Sequence, residues 1–207
     1  MSSTDHPWDE IFKREGRFFP EPFPRFNEVV QIFKDHSCLE ILDLGCGSGR
    51  HLVQFAKEGF KAIGLDISPT GLNLTQEWVD EEGLEVNLVL ADMRKPLPFR
   101  AGSFTGVLST QVIHHARIVG VRSAIQEIWR VLVSGGVAFV TVSGRKDEGE
   151  FEEIEPGTIV PLSGPEKGLP HHIFSEEALK EEFQNFHLLD FSVRAEGKVL
   201  AVLLRKP

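Results

Sequence analysis

Ile41-Leu42-Asp43-Leu44-Gly45-Cys46-Gly47-Ser48-Gly49-Arg50 is the stretch that decides the fold. A short apolar run holding one aspartate stops abruptly at alternating glycines. Glu40–Leu44 therefore predicts a buried strand. Residues 48–57 predict the helix behind it, and Gly59 is placed to end that helix. Glycine has no Cβ and tolerates positive φ, so such a turn lets a ligand approach the backbone closely. In open α/β sheets, ligands sit at the carboxyl ends of strands, near the point where strand order reverses.

Working outward, residues 62–66 predict a second strand. Ser68-Pro69 supplies an N-cap and a first-turn proline for a helix that stops at Gly83. Residues 86–91 and 104–109 predict a third and a fourth strand. Val121, Ile125, Ile128 and Leu132 form one helical stripe, expected to end at Gly135-Gly136 before a fifth strand over 137–142. Strands alternating with helices imply a parallel sheet covered on both faces. Ser175 is an expected N-cap, and Leu179, Phe183 and Phe186 form the stripe of a last helix. Runs 188–194 and 198–204, separated by Glu196-Gly197, predict a hairpin that gives the sheet an antiparallel end. The fold class is thus α/β, a Rossmann-like doubly wound sheet with helices on both faces. Four zones divide a single domain over 1–207: an aromatic-rich cap (1–37), a ligand-binding core (38–143), a substrate-side loop (144–174), and a terminal helix and hairpin (175–207). The 144–174 zone holds five glycines, four prolines and an acidic run, which is long for a connection and typical of a lid or binding loop.

The 207 residues include 41% hydrophobic ones, enough for a core without disulfides. Cys38 and Cys46 are the two cysteines, so a reducing cytoplasm is the expected compartment. No apolar run reaches membrane-spanning length, and no signal-peptide pattern opens the chain. The 22 basic against 31 acidic residues give net charge −9, which disfavours a nucleic-acid partner. A small molecule is the expected partner, and oligomeric state is not readable.

Asp66 closes the second strand, 17 residues after Gly49, where a carboxylate can accept from both hydroxyls of a ribose. Asp92 follows the third strand in the same way; it reads equally as a turn-forming aspartate or as an acceptor for an adenine amino group. The dinucleotide fingerprint would need glycine at Arg50, which disfavours a nicotinamide oxidoreductase. Asp43 would face the ligand turn and suits a cationic ligand better than a pyrophosphate.

DLGCGSGR, GLDIS, ADMRKPLPF, FTGVLSTQVIHHA and EIWRVLVSGGVAFV, in that order over roughly 38–143, resemble the successive motifs of class I S-adenosylmethionine-dependent methyltransferases, the type 11 group among them. The resemblance implies a seven-stranded sheet and S-adenosyl-L-methionine as cofactor, with S-adenosyl-L-homocysteine as product. It implies that Gly45, Gly47 and Gly49 form the turn under the methionine part, with Asp43 orienting it. Cys46 lies within that turn as a small residue. Asp66 would hold the ribose and Ile67 would pack on the adenine. Asp92 and Met93 would bind and flank the adenine, and Thr110 and Gln111 would lie near the sulfonium.

His114-His115 and His171-His172 could flank the acceptor pocket as general bases, or they could serve as packing and loop anchors. A metal site is not expected, because adjacent histidines do not easily aim at one ion and no cysteine or carboxylate spacing completes a set. Trp8, Phe18 and Phe19, with Phe12, could close over the cofactor and substrate, and Arg17 could offer a donor. Packing of an appended helix is the equal alternative. The leading function is methyl transfer to a small molecule. STQVIHHA and EIWRVLVSGG also resemble wobble-uridine tRNA methyltransferases, against which stand the charge and the acidic run at 147–155. A non-catalytic S-adenosylmethionine-binding protein is the third reading.

Overall fold

The computed structural model describes residues 6–17, 20–144 and 149–207. Strand β1 (Glu40–Leu44) occupies the predicted segment and pairs in parallel with β2 (Lys61–Asp66) on one side and β4 (Phe104–Thr110) on the other. Outside β2 lies β3 (Asn87–Leu90), and outside β4 lies β5 (Leu132–Ser143). The terminal hairpin, β9 (His187–Arg194) and β10 (Val199–Arg205), completes the sheet in the order β3-β2-β1-β4-β5-β10-β9. β10 is antiparallel to both its neighbours. The order reverses between β1 and β4, so the crevice opens above the carboxyl end of β1.

Side-chain alternation along each strand feeds two cores. Ile41, Leu108, Phe139 and Leu203 face α2 (Phe26–Asp35) and α3 (Leu52–Lys57), where Phe33 and Phe55 are fully buried. Leu42, Val107, Val140 and Val202 face α5 (Ile118–Val131) and α6 (Glu176–Glu182). The N-caps at Ser68 and Ser175 form as expected: the two hydroxyls accept from the N–H of Gly71 and Ala178, at 2.9 and 3.1 Å.

Three expectations shift. Helix α3 begins at Leu52, not near Ser48, because Gly45, Gly47 and Gly49 take φ of +80°, +56° and +94° and keep the chain out of helix. Helix α5 ends at Val131, and Leu132 turns directly into β5 with ψ 141°, so Gly135-Gly136 lies inside a strand and not after a helix. The 144–174 zone is no plain loop. Its described part contains β6 (Phe151–Glu155), β7 (Thr158–Pro161) and β8 (His171–His172), an antiparallel three-stranded sheet. The turn between its first two strands is Pro156-Gly157, with Gly157 at φ +76°.

Candidate active site

The glycine turn is fixed from below by backbone. The N–H groups of Gly45 and Cys46 both donate to the Leu65 carbonyl, at 2.7 and 3.0 Å, tying the end of β1 to β2. The Gly47 N–H donates to Asp66 Oδ2 and the Ser68 N–H to Asp66 Oδ1, each at 2.8 Å. Asp66 thus braces the turn through both of its oxygens, and the Ile67 N–H donates to it as well. Its burial raises the carboxyl's pKa, against the pull of these backbone donors. A Cβ at Gly45 would stand 2.4 Å from the Val112 methyls, and one at Gly47 3.0 Å from Phe12. Gly49 serves packing: a Cβ there would meet Thr75 at 2.9 Å, and Thr75 Oγ1 donates to the Gly47 carbonyl at 2.9 Å.

Above the turn lies a cavity of about 980 Å³. Gly45, Cys46, Gly47, Asp66, Ile67, Asp92, Met93, Thr110 and Gln111, all expected at the site, line it. Gly49 and Asp43 do not line it. Asp43 is buried beneath the turn, where the Leu52 N–H donates to it while its Oδ2 has no hydrogen-bond partner. Burial pushes this carboxyl up to about 7, against the pull of the Arg50 guanidinium. The Cys46 thiol is pushed well up by burial, which fits its place as a small filler and not as a nucleophile.

Asp92 shows the turn geometry its position allows. The Arg94 N–H donates to Oδ1 at 2.9 Å, and the Arg94 guanidinium pairs with both oxygens at 2.8 Å. Burial works to raise this carboxyl, but Arg94 outweighs it and the net shift is downward. Gln111 sits at φ +57°, an uncommon conformation for a residue other than glycine. Its N–H and side-chain amide both donate to Thr141 Oγ1, at 2.9 and 3.1 Å, which holds the strained residue at the cavity wall.

Helix α1 (Pro7–Glu15) forms part of the cavity roof through Trp8 and Phe12. Its anchor is Asp9, fully buried, which accepts from Ser68 Oγ at 2.7 Å and the Thr70 N–H at 2.9 Å and pairs with Lys13 at 2.9 Å. Burial works against this charge, yet these donors hold the carboxyl down at about 2. Arg17 corrects an expectation: it is not at the cavity but pairs with Glu81 at 2.7 Å, its guanidinium over the Trp78 ring. Phe18 and Phe19 lie outside the described residues.

The histidine pairs are brought together by backbone, the His172 N–H donating to the His114 carbonyl at 2.8 Å. His114, His115 and His171 line the cavity, whereas His172 turns away to Thr158 Oγ1 at 2.8 Å and is not part of it. Burial lowers His114 to about 3 and His115 well below its ordinary value, so both are neutral and weakly basic. Contrary to expectation, the adjacent histidines do converge with a third. One ring nitrogen from each of His114, His115 and His171 lies within 4.8 Å of the others. A tight turn aims neighbouring side chains the same way, and β8 adds the third ring from a distant part of the chain.

His51 is the site residue that sequence reasoning missed. It follows the turn, accepts the Phe23 N–H on Nε2 at 3.0 Å, and so carries its proton on Nδ1, 3.3 Å from Thr110 Oγ1. It joins the N-terminal cap to the end of β4 and stacks on Phe26. The histidine after GSGR was the available signal, but its partners are tertiary.

Residues 41–136 match the family model described as a methyltransferase domain. The chain is 28% identical over 207 residues to an uncharacterised chloroplastic methyltransferase of Arabidopsis thaliana, covering 97% of this chain and 56% of that protein. It is 42% identical over 73 residues to an 18S rRNA (guanine-N(7))-methyltransferase of Schizosaccharomyces pombe, covering 35% of this chain and 26% of that protein. The chain thus spans about half the length, or less, of these relatives. Among solved structures, a Pyrococcus horikoshii protein superposes with a TM-score of 0.76 at 17% identity, covering 96% of this chain and 99% of that one, a likeness of fold.

Proposed function

We propose, from the premise that the chain belongs to the class I S-adenosylmethionine-dependent methyltransferases, that it methylates a small-molecule acceptor. One observation carries the reading: a roofed cavity of about 980 Å³ with the glycine turn and Asp66 at its base. That volume lies at the upper end of the range for small-molecule sites, room for a nucleoside and a second molecule.

The residues fit the cofactor. The turn excludes any Cβ at Gly45, and Asp66 lines the cavity beside it. Gly45 and Gly47 would hold the methionine part, and Asp66 the ribose hydroxyls. Ile67 and Met93 would flank the adenine, with Asp92 accepting from its amino group. Thr110 and Gln111 would border the reacting centre. S-adenosyl-L-methionine supplies a methyl group on a positively charged sulfur, and its own charge makes that carbon electrophilic. The protein's task is then to orient the acceptor in line and keep water out, and positioning can supply much of the rate. Trp8 and Phe12 in the roof exclude water. His114 and His115 line the cavity as neutral rings whose Nδ1 atoms are enclosed, and a base is needed only for an acceptor that must lose a proton.

Glu21, Glu150 and Glu166 line the same cavity. With a net charge of −9, this favours a neutral or cationic acceptor over a polyphosphate chain. The similarity to an rRNA methyltransferase supports RNA as the second reading, in which a partner subunit supplies the basic surface. Purified protein incubated with S-adenosyl-L-methionine and either a metabolite extract or an RNA pool separates them. S-adenosyl-L-homocysteine formation is expected with the extract. Turnover with RNA alone would transfer the proposal to nucleic acid.

A further inference from the structure

Three rings border the acceptor end of the cavity from two segments far apart in sequence. His114 and His115 sit in the turn after β4, and His171 in β8. Ring centroids are 4.1 Å apart for His114–His115, 4.6 Å for His115–His171 and 5.8 Å for His114–His171. His114 is fully buried, and its Nδ1 and that of His115 are enclosed without a hydrogen-bond partner. A buried imidazole nitrogen left without a partner is costly, so such a group asks for an explanation.

We infer that His114, His115 and His171 form a binding site for a divalent transition-metal ion at the acceptor end of the cavity. Neutral imidazole is a preferred ligand for zinc, copper, nickel and iron. Three histidines leave the fourth tetrahedral position of such an ion open. Zinc–nitrogen bonds of about 2.0–2.1 Å set the ligand nitrogens of a tetrahedron about 3.3 Å apart. The present spacing, up to 4.8 Å, closes to that value by side-chain rotations that move each nitrogen by about 1 Å.

The surroundings match such a site. Glu166 places a carboxylate 3.4 Å from His171 Nε2, a position from which it orients that ring and offsets the ion's charge. The Gln111 backbone hydrogen-bonds the His115 ring, and Nδ1 is the nitrogen left over. Trp8 packs edge-on against His115 at 5.0 Å. The hydrogen bond between His172 N–H and the His114 carbonyl locks the two segments at this separation. An ion here would offer its open position to an oxygen, nitrogen or sulfur donor of the molecule that fills the cavity. The ion site stands on these rings alone, whatever group is transferred beside them.

The test uses tag-free, full-length protein stripped with a chelator, without S-adenosyl-L-methionine. Zn(II) is titrated calorimetrically and Co(II) is followed by its visible absorption. One Zn(II) per chain is expected, with a Co(II) band typical of low-coordinate nitrogen ligation. His115→Ala and His171→Ala should each weaken Zn(II) binding by about 10–100-fold, a loss at least as large as removing a supporting residue produces. His115→Gln and His171→Gln, which retain bulk, should do the same with unchanged far-ultraviolet circular dichroism. His187→Ala, at an exposed position on β9, should bind as the unaltered chain does. Absence of saturable binding, or retention of full affinity in both His115 and His171 variants, would overturn the site.

Discussion

Asp43 carries a charge conflict that a titration can read. Burial pushes its carboxyl up to about 7, whereas an unfolded aspartate titrates near ~3.9. The folded chain therefore holds this proton more tightly, and stability is lost as pH rises from ~4 through ~7. Asp43→Asn keeps an acceptor for the Leu52 N–H and removes the ionisation. Its melting temperature should rise relative to the unaltered chain as pH increases from 5 to 8, by about 2–4 °C for each ~1 kcal/mol relieved. A gap that stays constant over that range would show that Asp43 is not the group responsible. The aspartate's presence in the strand was readable from sequence, and its burial under the turn was not. The same holds for His51, whose partners Phe23 and Thr110 lie 28 and 59 residues away.

Helix α1 is held to the domain by one buried carboxylate, Asp9, and by the apolar side chains of Ile11, Phe12 and the half-buried Trp8. Asp9→Ala leaves Ser68 Oγ and the Thr70 N–H without their acceptor, at a cost of about 1–3 kcal/mol. Urea unfolding at neutral pH should show this loss. Because Asp9 is held near pH 2, its contribution is present above ~4 and fades as pH falls toward 2. Equal stability of Asp9→Ala and the parent at pH 7 would mean that α1 is anchored by its apolar side chains alone. Elements whose signals are local were legible: β1, the two serine caps, and the hairpin around Glu196-Gly197. The three-stranded sheet of β6, β7 and β8 was not. Its strands are short, glutamates interrupt their apolar pattern, and β8 has two residues whose only strand signal is their pairing with Thr158 and Ile159. Asp9 was equally hidden, since its partner Ser68 is 59 residues on.

At the scale of the whole molecule, the strand order places its reversal beside β1, and everything of chemical interest gathers above that point. The acidic balance, the roof built by α1 and the small sheet beside the cavity are the features that favour the small-molecule acceptor proposed above. Its premise is that the turn after β1 and the carboxylate closing β2 together hold S-adenosyl-L-methionine. Calorimetric titration of S-adenosyl-L-homocysteine into the parent and into Asp66→Ala tests that premise most directly, with circular dichroism confirming the fold of both. One site per chain is expected in the parent. In the variant, binding should weaken by about 1.5–3 kcal/mol, as hydrogen bonds to a charged group are lost. Equal affinity in the two proteins, or no binding to the parent, would contradict the account.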